Sequence, residues 1–434
     1  MQRSTIGLFA VLFAFLGCGN VETGELGLEG ILAPLAVTLS VGGEDSSDEF
    51  TDWYQWRGPK RDGISRETNL LTNWPSNGVP LLWKVPGGDG FSSLAVSEGR
   101  LYTMVDRDGA EWVICLDTET GMELWKVRSA GSYKEYQGGN GPRSTPTVDQ
   151  ERVYTLGATG ALFCLDKKSG KVKWQRNILQ DFGAENLHWG TSTSPLVEGD
   201  LLLVNVGAPG ASVVAFNKHN GEVVWKTLDD IAGYSSPIAI TVDGVREIIF
   251  FGGKSIFGVS PRDGSLHWRH PWMTLSEMNI ATPIFSDPYL FVASGRGTGS
   301  GVFRLRKDGD SVKADVVWSD TIMQNHFNSC VLIGGYVYGF DNAILKCVRL
   351  EDGETVWADR SVGKGALIAA QDHLFIVGER GMIGVAEASP EAYRERGRMQ
   401  VLEYKSWTPP ALSGGKLFIR DQKNIACLDL RATR

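Results

Sequence analysis

The side chains best placed to do chemistry in this chain of 434 residues do not sit in one motif. They are spread along it at intervals: Asn140 and Arg143, His188 and Trp189, Tyr234, Asn279, His326 and Asn328, Lys364, and Trp407. Each lies just ahead of a short apolar stretch that reads as the start of a β-strand. Should those strands converge, the set would bring amides, imidazoles, cations and aromatic rings to one rim, the make-up of a site for a polar ligand or a peptide. Other chemistries find little support. The six histidines form no short-spaced cluster of the kind zinc needs. Gly295-Arg296-Gly297-Thr298-Gly299-Ser300-Gly301 follows an apolar strand and precedes another, Val302 to Leu305, with no helix after it. It reads as a hairpin turn and not as a phosphate cradle. No pattern assigns a catalytic residue or a metal ligand.

What must position these residues is a repeat. Trp83, Trp125, Trp174, Trp225, Trp268, Trp318 and Trp357 recur at separations of 39 to 51 residues, the length of four short strands and their turns. Leu116-Asp117 through Gly121 leads to Trp125, Leu165-Asp166 through Gly170 to Trp174, and Phe216-Asn217 through Gly221 to Trp225. Asp263-Gly264 before Trp268 and Asp352-Gly353 before Trp357 keep the glycine four residues ahead of the tryptophan. Asp or Asn can close such a turn through its side chain, and glycine supplies the positive φ. In the fifth unit the turn expands, with Asp308-Gly309 well ahead of Trp318. Each unit opens on Ser or Thr before proline, as at Thr145-Pro146, Ser194-Pro195, Ser236-Pro237 and Thr282-Pro283. Proline is tolerated on an edge strand, and the innermost strand of a propeller blade is one.

The expected fold is therefore all-β: an eight-bladed β-propeller of four-stranded antiparallel blades. Six blades end at Trp125 to Trp357. A seventh runs from about Gly365 to Tyr404, with Tyr404 in the tryptophan's place and a charged insertion from Glu391 to Arg398. An eighth begins at Thr408-Pro409-Pro410 and stops after Cys427-Leu428-Asp429, one strand short. Leu81 to Val85, around Trp83, has no inner strands of its own and is expected to supply that strand, closing the ring from the N-terminal side.

Leu165 to Trp174, with Asp166, Gly170, Lys171 and Trp174, resembles the repeat of the PQQ-like propeller family, and the resemblance covers about residues 81–430. Two branches of that family are relevant. Quinoprotein dehydrogenases hold pyrroloquinoline quinone (PQQ) with calcium, commonly against a disulfide of adjacent cysteines. The BamB-like branch is exported and acts as a non-enzymatic scaffold. The chain has no adjacent cysteine pair and no Cys-x-x-Cys-His, so the resemblance implies the BamB-like branch, without cofactor. The alternative is a small-ligand binder or a PQQ-dependent oxidoreductase using the funnel. Trp53-Tyr54-Gln55-Trp56-Arg57-Gly58-Pro59, followed by Arg61-Asp62-Gly63, resembles the opening of many bacterial propellers of this family. It is expected to be an arm, residues 51–80, whose aromatics staple it to the ring; the sharper alternative is contact with a ligand.

Arg3 and the apolar run from Ile6 to Gly17 have the form of an export signal over residues 1–18. Phe15-Leu16-Gly17-Cys18 resembles a lipobox, which makes Cys18 the lipidation candidate; ordinary signal cleavage is the alternative. Residues 19–50, ending in the acidic stretch Glu44 to Glu49, read as a disordered tether. Export, to the periplasm or to a membrane by a lipid anchor, would make envelope proteins or a small polar ligand the partners. The net charge of −8, with no block of Lys and Arg, argues against nucleic acid, and a monomer is expected. Cys115, Cys164 and Cys427 share one position of the repeat and Cys347 a similar one. Equivalent points on different blades lie too far apart to bridge, so these are expected as buried core thiols.

Overall fold

The turns carry out the local chemistry written in the repeat. Asp117 Oδ1 accepts hydrogen bonds from the backbone N–H groups of Glu119 (3.1 Å) and Thr120 (2.9 Å). Asp166 does the same for Lys168 and Ser169. Gly121, at φ 72°, has no room for a side chain: a Cβ there would lie 2.8 Å from the Trp83 indole. The indole of one blade thus lies over the turn glycine of the next. Its Nε1–H donates to a backbone carbonyl there: Trp83 to Thr118, Trp125 to Lys167, Trp174 to Lys218, Trp225 to Pro261, Trp318 to Leu350 and Trp357 to Ser389. Trp268 departs from the pattern. The blade that follows it has the expanded hairpin Gly299–Asp308 and Ser311–Asp320 and no compact turn, and Trp268 instead donates to the fully buried Glu247 at 3.1 Å.

The computed structural model describes residues 52–432. They form eight sheets around a central channel, an eight-bladed β-propeller. Blade 1 runs Ala95–Ser97, Arg100–Arg107, Ala110–Asp117 and Glu123–Gly131, from innermost to outermost strand. Blades 2 to 6 repeat that order and end in outer strands that carry Trp174, Trp225, Trp268, Trp318 and Trp357. In blade 8, Ala411–Ser413, Lys416–Arg420 and Asn424–Asp429 are completed by Leu81–Pro86 from the N-terminal side, with Trp83 opposite Cys427. The closing strand is as expected. Arg420, fully buried, reinforces this seam by donating to the carbonyls of Ser92 (2.9 Å), Met104 (3.0 Å) and Gly90 (3.2 Å) in and beside blade 1. The core lies between blades: separate apolar clusters join each adjacent pair, and the largest spans blades 7, 8 and 1. Cys115, Cys164, Cys330, Cys347 and Cys427 are buried free thiols. The stretches expected as an export signal (1–18, with Cys18) and a tether (19–50) lie outside the described residues.

Blade 7 differs from expectation. Its outer strand is Glu395–Gln400, overlapping the stretch read as a charged insertion, and Tyr404 lies beyond it, half exposed. The position that carries tryptophan elsewhere is Gly397, opposite Val385. The missing indole comes from the N-terminal arm. Trp74 is buried against Gly397, where a Cβ would lie 2.5 Å from the Trp74 side chain; its backbone N–H donates to Arg396 O at 3.0 Å and its indole N–H to Leu71 O at 2.9 Å. An indole still fills this seam, but its source is a residue more than three hundred positions away.

Candidate functional site

Two sets of residues determine what the channel can hold: the segment that enters it and the loops around its mouth. Residues 52–67 occupy the channel and hydrogen-bond to every blade. Val96 N–H and Val148 N–H donate to the carbonyls of Trp53 and Tyr54, both at 2.8 Å, and Ala369 N–H donates to Gly63 O at 2.8 Å. Trp56 Nε1 donates to Thr282 Oγ1 at 2.7 Å, and Arg57 donates to Cys330 O. Arg61 donates to Ser194 O (3.1 Å) and Pro237 O (3.0 Å). Glu67 accepts from Gly414 and Gly415 N–H, both at 2.8 Å, in the inner turn of blade 8.

The motif explains this path. Gly58 has φ 82° and lies under the Trp53 indole, while Gly63 has φ 78° and no space for a Cβ beside the Arg57 guanidinium. Arg57 and Arg61 themselves adopt left-handed backbone (φ 60° and 58°), a conformation costing about 1–2 kcal/mol for a residue with a Cβ. Their hydrogen bonds offset it. Both guanidiniums are buried, and burial pulls Arg61 down to about 9.

The Ser/Thr-Pro signatures form a ring at the channel mouth. Ser93 N–H donates to Thr145 Oγ1 (3.1 Å), Thr145 N–H to Ser194 Oγ (2.9 Å), and Ser194 N–H to Ser236 Oγ (2.9 Å). Thr282 N–H donates to Ser329 Oγ at 2.9 Å. Three of the accepting hydroxyls, on Thr145, Ser194 and Ser236, precede a proline; Ser329 precedes Cys330.

Above this ring is a cavity of about 370 Å³. Of the ten residues expected at the rim, Arg143, Trp189, Tyr234, His326, Lys364 and Trp407 line it. The other four do not. Asn279 is fully buried, donating to Gly252 O at 2.8 Å and accepting from Ser294 Oγ at 2.7 Å. Asn328 donates to Gly365 O, Asn140 accepts from Glu135 N–H, and His188 is exposed with its ring edge-on to Trp189. Sequence reasoning did not pick out Phe91, Phe327 and Arg296, which also line the cavity. Trp56 lines it too, from the channel side.

The lining has a definite chemical character. The Phe327 ring is stacked between His326 (3.7 Å) and Trp407 (3.9 Å), and Trp407 stacks in turn on Phe91 (5.2 Å). Trp407 is held by its Nε1–H, which donates to Glu379 at 2.5 Å, and Lys405 Nζ lies 4.1 Å from its ring centroid. Lys364 Nζ sits 4.5 Å from the Phe327 centroid and 2.7 Å from His326 Nδ1. Burial first, then the charges of Lys364 and Arg296, holds His326 down to about 4, so the ring is neutral. Burial also lowers the pKa values of Lys364 and Arg143. Tyr234 is pushed up to about 12 by burial and stays a phenol.

PQQ with calcium, implied by the wider resemblance, does not fit these residues. Among the described residues lining the cavity there is no carboxylate to bind calcium, and no group of three His, Cys, Asp or Glu is arranged for a metal among the described residues. The chain has no adjacent cysteines to face a quinone.

Comparison with known proteins places this geometry. Residues 76–205 and, overlapping them, 109–359 match the family described as outer membrane protein assembly factor BamB. The chain is 23% identical over 215 residues to outer membrane protein assembly factor BamB of Yersinia pestis, covering 50% of this chain and 43% of that protein. It is 29% identical over 167 residues to quinoprotein ethanol dehydrogenase of Pseudomonas aeruginosa, covering 35% and 26% respectively. The chain thus spans less than half the length of these two relatives. Among solved structures, BamB from Moraxella catarrhalis superposes with a TM-score of 0.55 at 13% identity, over 82% of this chain and 99% of that one. Quinohemoprotein alcohol dehydrogenase from Comamonas testosteroni gives 0.50 at 10% identity, over 88% and 81%. At such identities these superpositions speak for the fold alone. The sequence match covers more than half of the chain and includes the turn-and-tryptophan units described above, and the protein belongs to the BamB family of PQQ-repeat β-propellers.

Proposed function

We propose that the protein is an exported, non-enzymatic propeller that holds protein partners in the cell envelope, a scaffold in the manner of its BamB relatives. The observation that carries this reading is an apolar belt on the outer strands. Within two residues before the repeat tryptophan, one or two aliphatic side chains point into solvent in seven blades: Leu82, Leu124, Val172, Val224, Leu266, Val317 and Val356 all exceed a third of full exposure. Scattered exposed apolar residues are ordinary on any surface; recurrence within two residues of the repeat tryptophan around a ring is not scatter. The outer strands are also free sheet edges, which natural proteins normally guard with charge. Blade 7 does so with Arg394 and Arg396 paired to Glu387 and Arg398 to Glu395, and the outer strands of blades 1, 2, 4 and 5 also carry ion pairs, yet the aliphatic side chains before the tryptophan stay exposed. An apolar edge with unpaired backbone groups suits an added strand or an apolar partner surface. Strand direction puts the belt beside the turns that face away from the cavity mouth.

Photo-crosslinking side chains placed at Leu124 and Val224 in cells test this. Discrete protein adducts are expected at both, reduced when the neighbouring belt positions carry Val223→Glu or Met122→Glu. A crosslinker at Asp108, exposed on the opposite face, serves as the control. Adducts from Asp108 alone, or equal yields from all three positions, would refute the assignment.

A further inference from the structure

The cavity at the channel mouth is positively charged in a chain whose net charge is −8. Arg143, Arg296 and Lys364 line it without a carboxylate among them. Burial lowers the pKa values of Arg143 and Lys364, and at Lys364 the charges of Arg296 and Lys405 add to it while Glu379 opposes it. A bound anion would offset the cost of burying these cations.

A second observation is independent of charge. Lys364 Nζ donates to His326 Nδ1 at 2.7 Å. A neutral imidazole that accepts at Nδ1 carries its proton on Nε2. That Nε2 is buried and has no hydrogen-bond partner in the protein. Buried donors are almost always satisfied, and here the remaining source of an acceptor is whatever enters the cavity.

The walls supply a third constraint. Phe327 and Trp407 are stacked at 3.9 Å with 21° between their planes, and the Trp56 indole comes in from the channel side. The faces of these two rings are covered by each other and by His326 and Phe91, so a guest meets their edges, and aromatic edges favour an aromatic guest. We propose that the cavity binds a small organic anion with a planar, unsaturated body, an aromatic carboxylate. Its carboxylate is held by Lys364, Arg296 and the Nε2–H of His326, and its ring lies against the edges of the aromatic stack and the Trp56 indole. A volume of about 370 Å³ is at the small end of ligand sites and suits one or two fused rings better than a peptide. The plugged channel leaves the mouth as the route in and out. This site lies on the face opposite the apolar belt and does not depend on the scaffold reading.

Full-length protein titrated with 2-naphthoate, followed by tryptophan fluorescence and calorimetry, provides the test. Saturable binding is expected, with 2-naphthamide, the neutral isostere, at least ten-fold weaker and inorganic phosphate weaker still. Lys364→Met and Arg296→Met should each weaken 2-naphthoate about ten-fold and leave 2-naphthamide unchanged; Arg296 sits in an exposed turn, so its variant guards against a folding artefact at Lys364. No saturable 2-naphthoate binding, or equal affinity for the amide, would overturn the proposal. Phosphate binding as tightly as 2-naphthoate would overturn the planar requirement. Binding of pyrroloquinoline quinone to the exclusion of simpler aromatic acids would return the site to the cofactor of the wider family and overturn the assigned class.

Discussion

Replacing Arg61 by Met tests whether the channel segment is structural. The guanidinium donates to Gln55 Oε1 (2.9 Å), Ser194 O (3.1 Å), Pro237 O (3.0 Å), Thr147 Oγ1 (3.4 Å) and Pro195 O. Gln55 and Thr147 can reorient after the change. The three carbonyls belong to the fixed entries of blades 3 and 4 and cannot. A hydrogen bond to a charged group contributes about 1.5–3 kcal/mol net of desolvation, so three set a scale of roughly 4–9 kcal/mol. Removing a buried cation that faces no carboxylate recovers part of this, because its desolvation penalty goes too. We expect a loss of about 4 kcal/mol in urea unfolding. Arg61→Lys should fall between the two, since one ammonium has three donors and cannot reproduce the planar fork. Limited trypsin digestion gives the local readout: the Met variant should be cut at Lys60 or Arg66 under conditions where the parent is not. A Met variant within about 0.5 kcal/mol of the parent, with no new cleavage, would mean that Arg61 does not hold the segment in the channel.

Trp74→Ala should cost about 3–5 kcal/mol, the usual loss for a buried large aromatic, read as a fall in Tm; an unchanged Tm would show that blade 7 does not need the borrowed indole. Glu111 provides a pH test. Burial raises its carboxyl from 4.5 to about 7, so the folded state holds this proton more tightly than the unfolded chain. Its contribution therefore favours folding least at high pH: stability falls as pH rises from about 4.5 to about 7, by roughly 3 kcal/mol in all. Glu111→Gln should match the parent near pH 4.5 and be more stable at pH 8, measured by denaturant unfolding at both; a difference independent of pH would refute the assignment.

Much of the ring was readable from the chain because its determinants are local. An Asp or Asn that bonds the next turn, a glycine at positive φ and a tryptophan four residues on all act within about ten residues, and they recur often enough to count blades. The closing strand was legible for the same reason: Leu81 to Val85 copies the outer-strand pattern and lacks inner strands. Blade 7 was misread because its indole is not in its own repeat. Gly397 looks like a failed copy until Trp74 is seen to occupy the space.

The site divides along the same line. Arg143, Trp189, Tyr234, His326, Lys364 and Trp407 could be named because every loop before an innermost strand must reach the channel mouth. Which of those side chains face the cavity was decided by backbone carbonyls and amides that only the assembled ring presents; Asn279 and Asn328 turned to such groups and were buried. Phe91, Phe327 and Arg296 carry no periodic mark. The repeat by itself determined the eight-bladed ring and its N-terminal closure. Only the tertiary structure decided that residues 52–67 fill the channel and turn its mouth into a blind, cationic cavity, because their hydrogen-bond partners lie on eight different blades and meet only when the ring is closed.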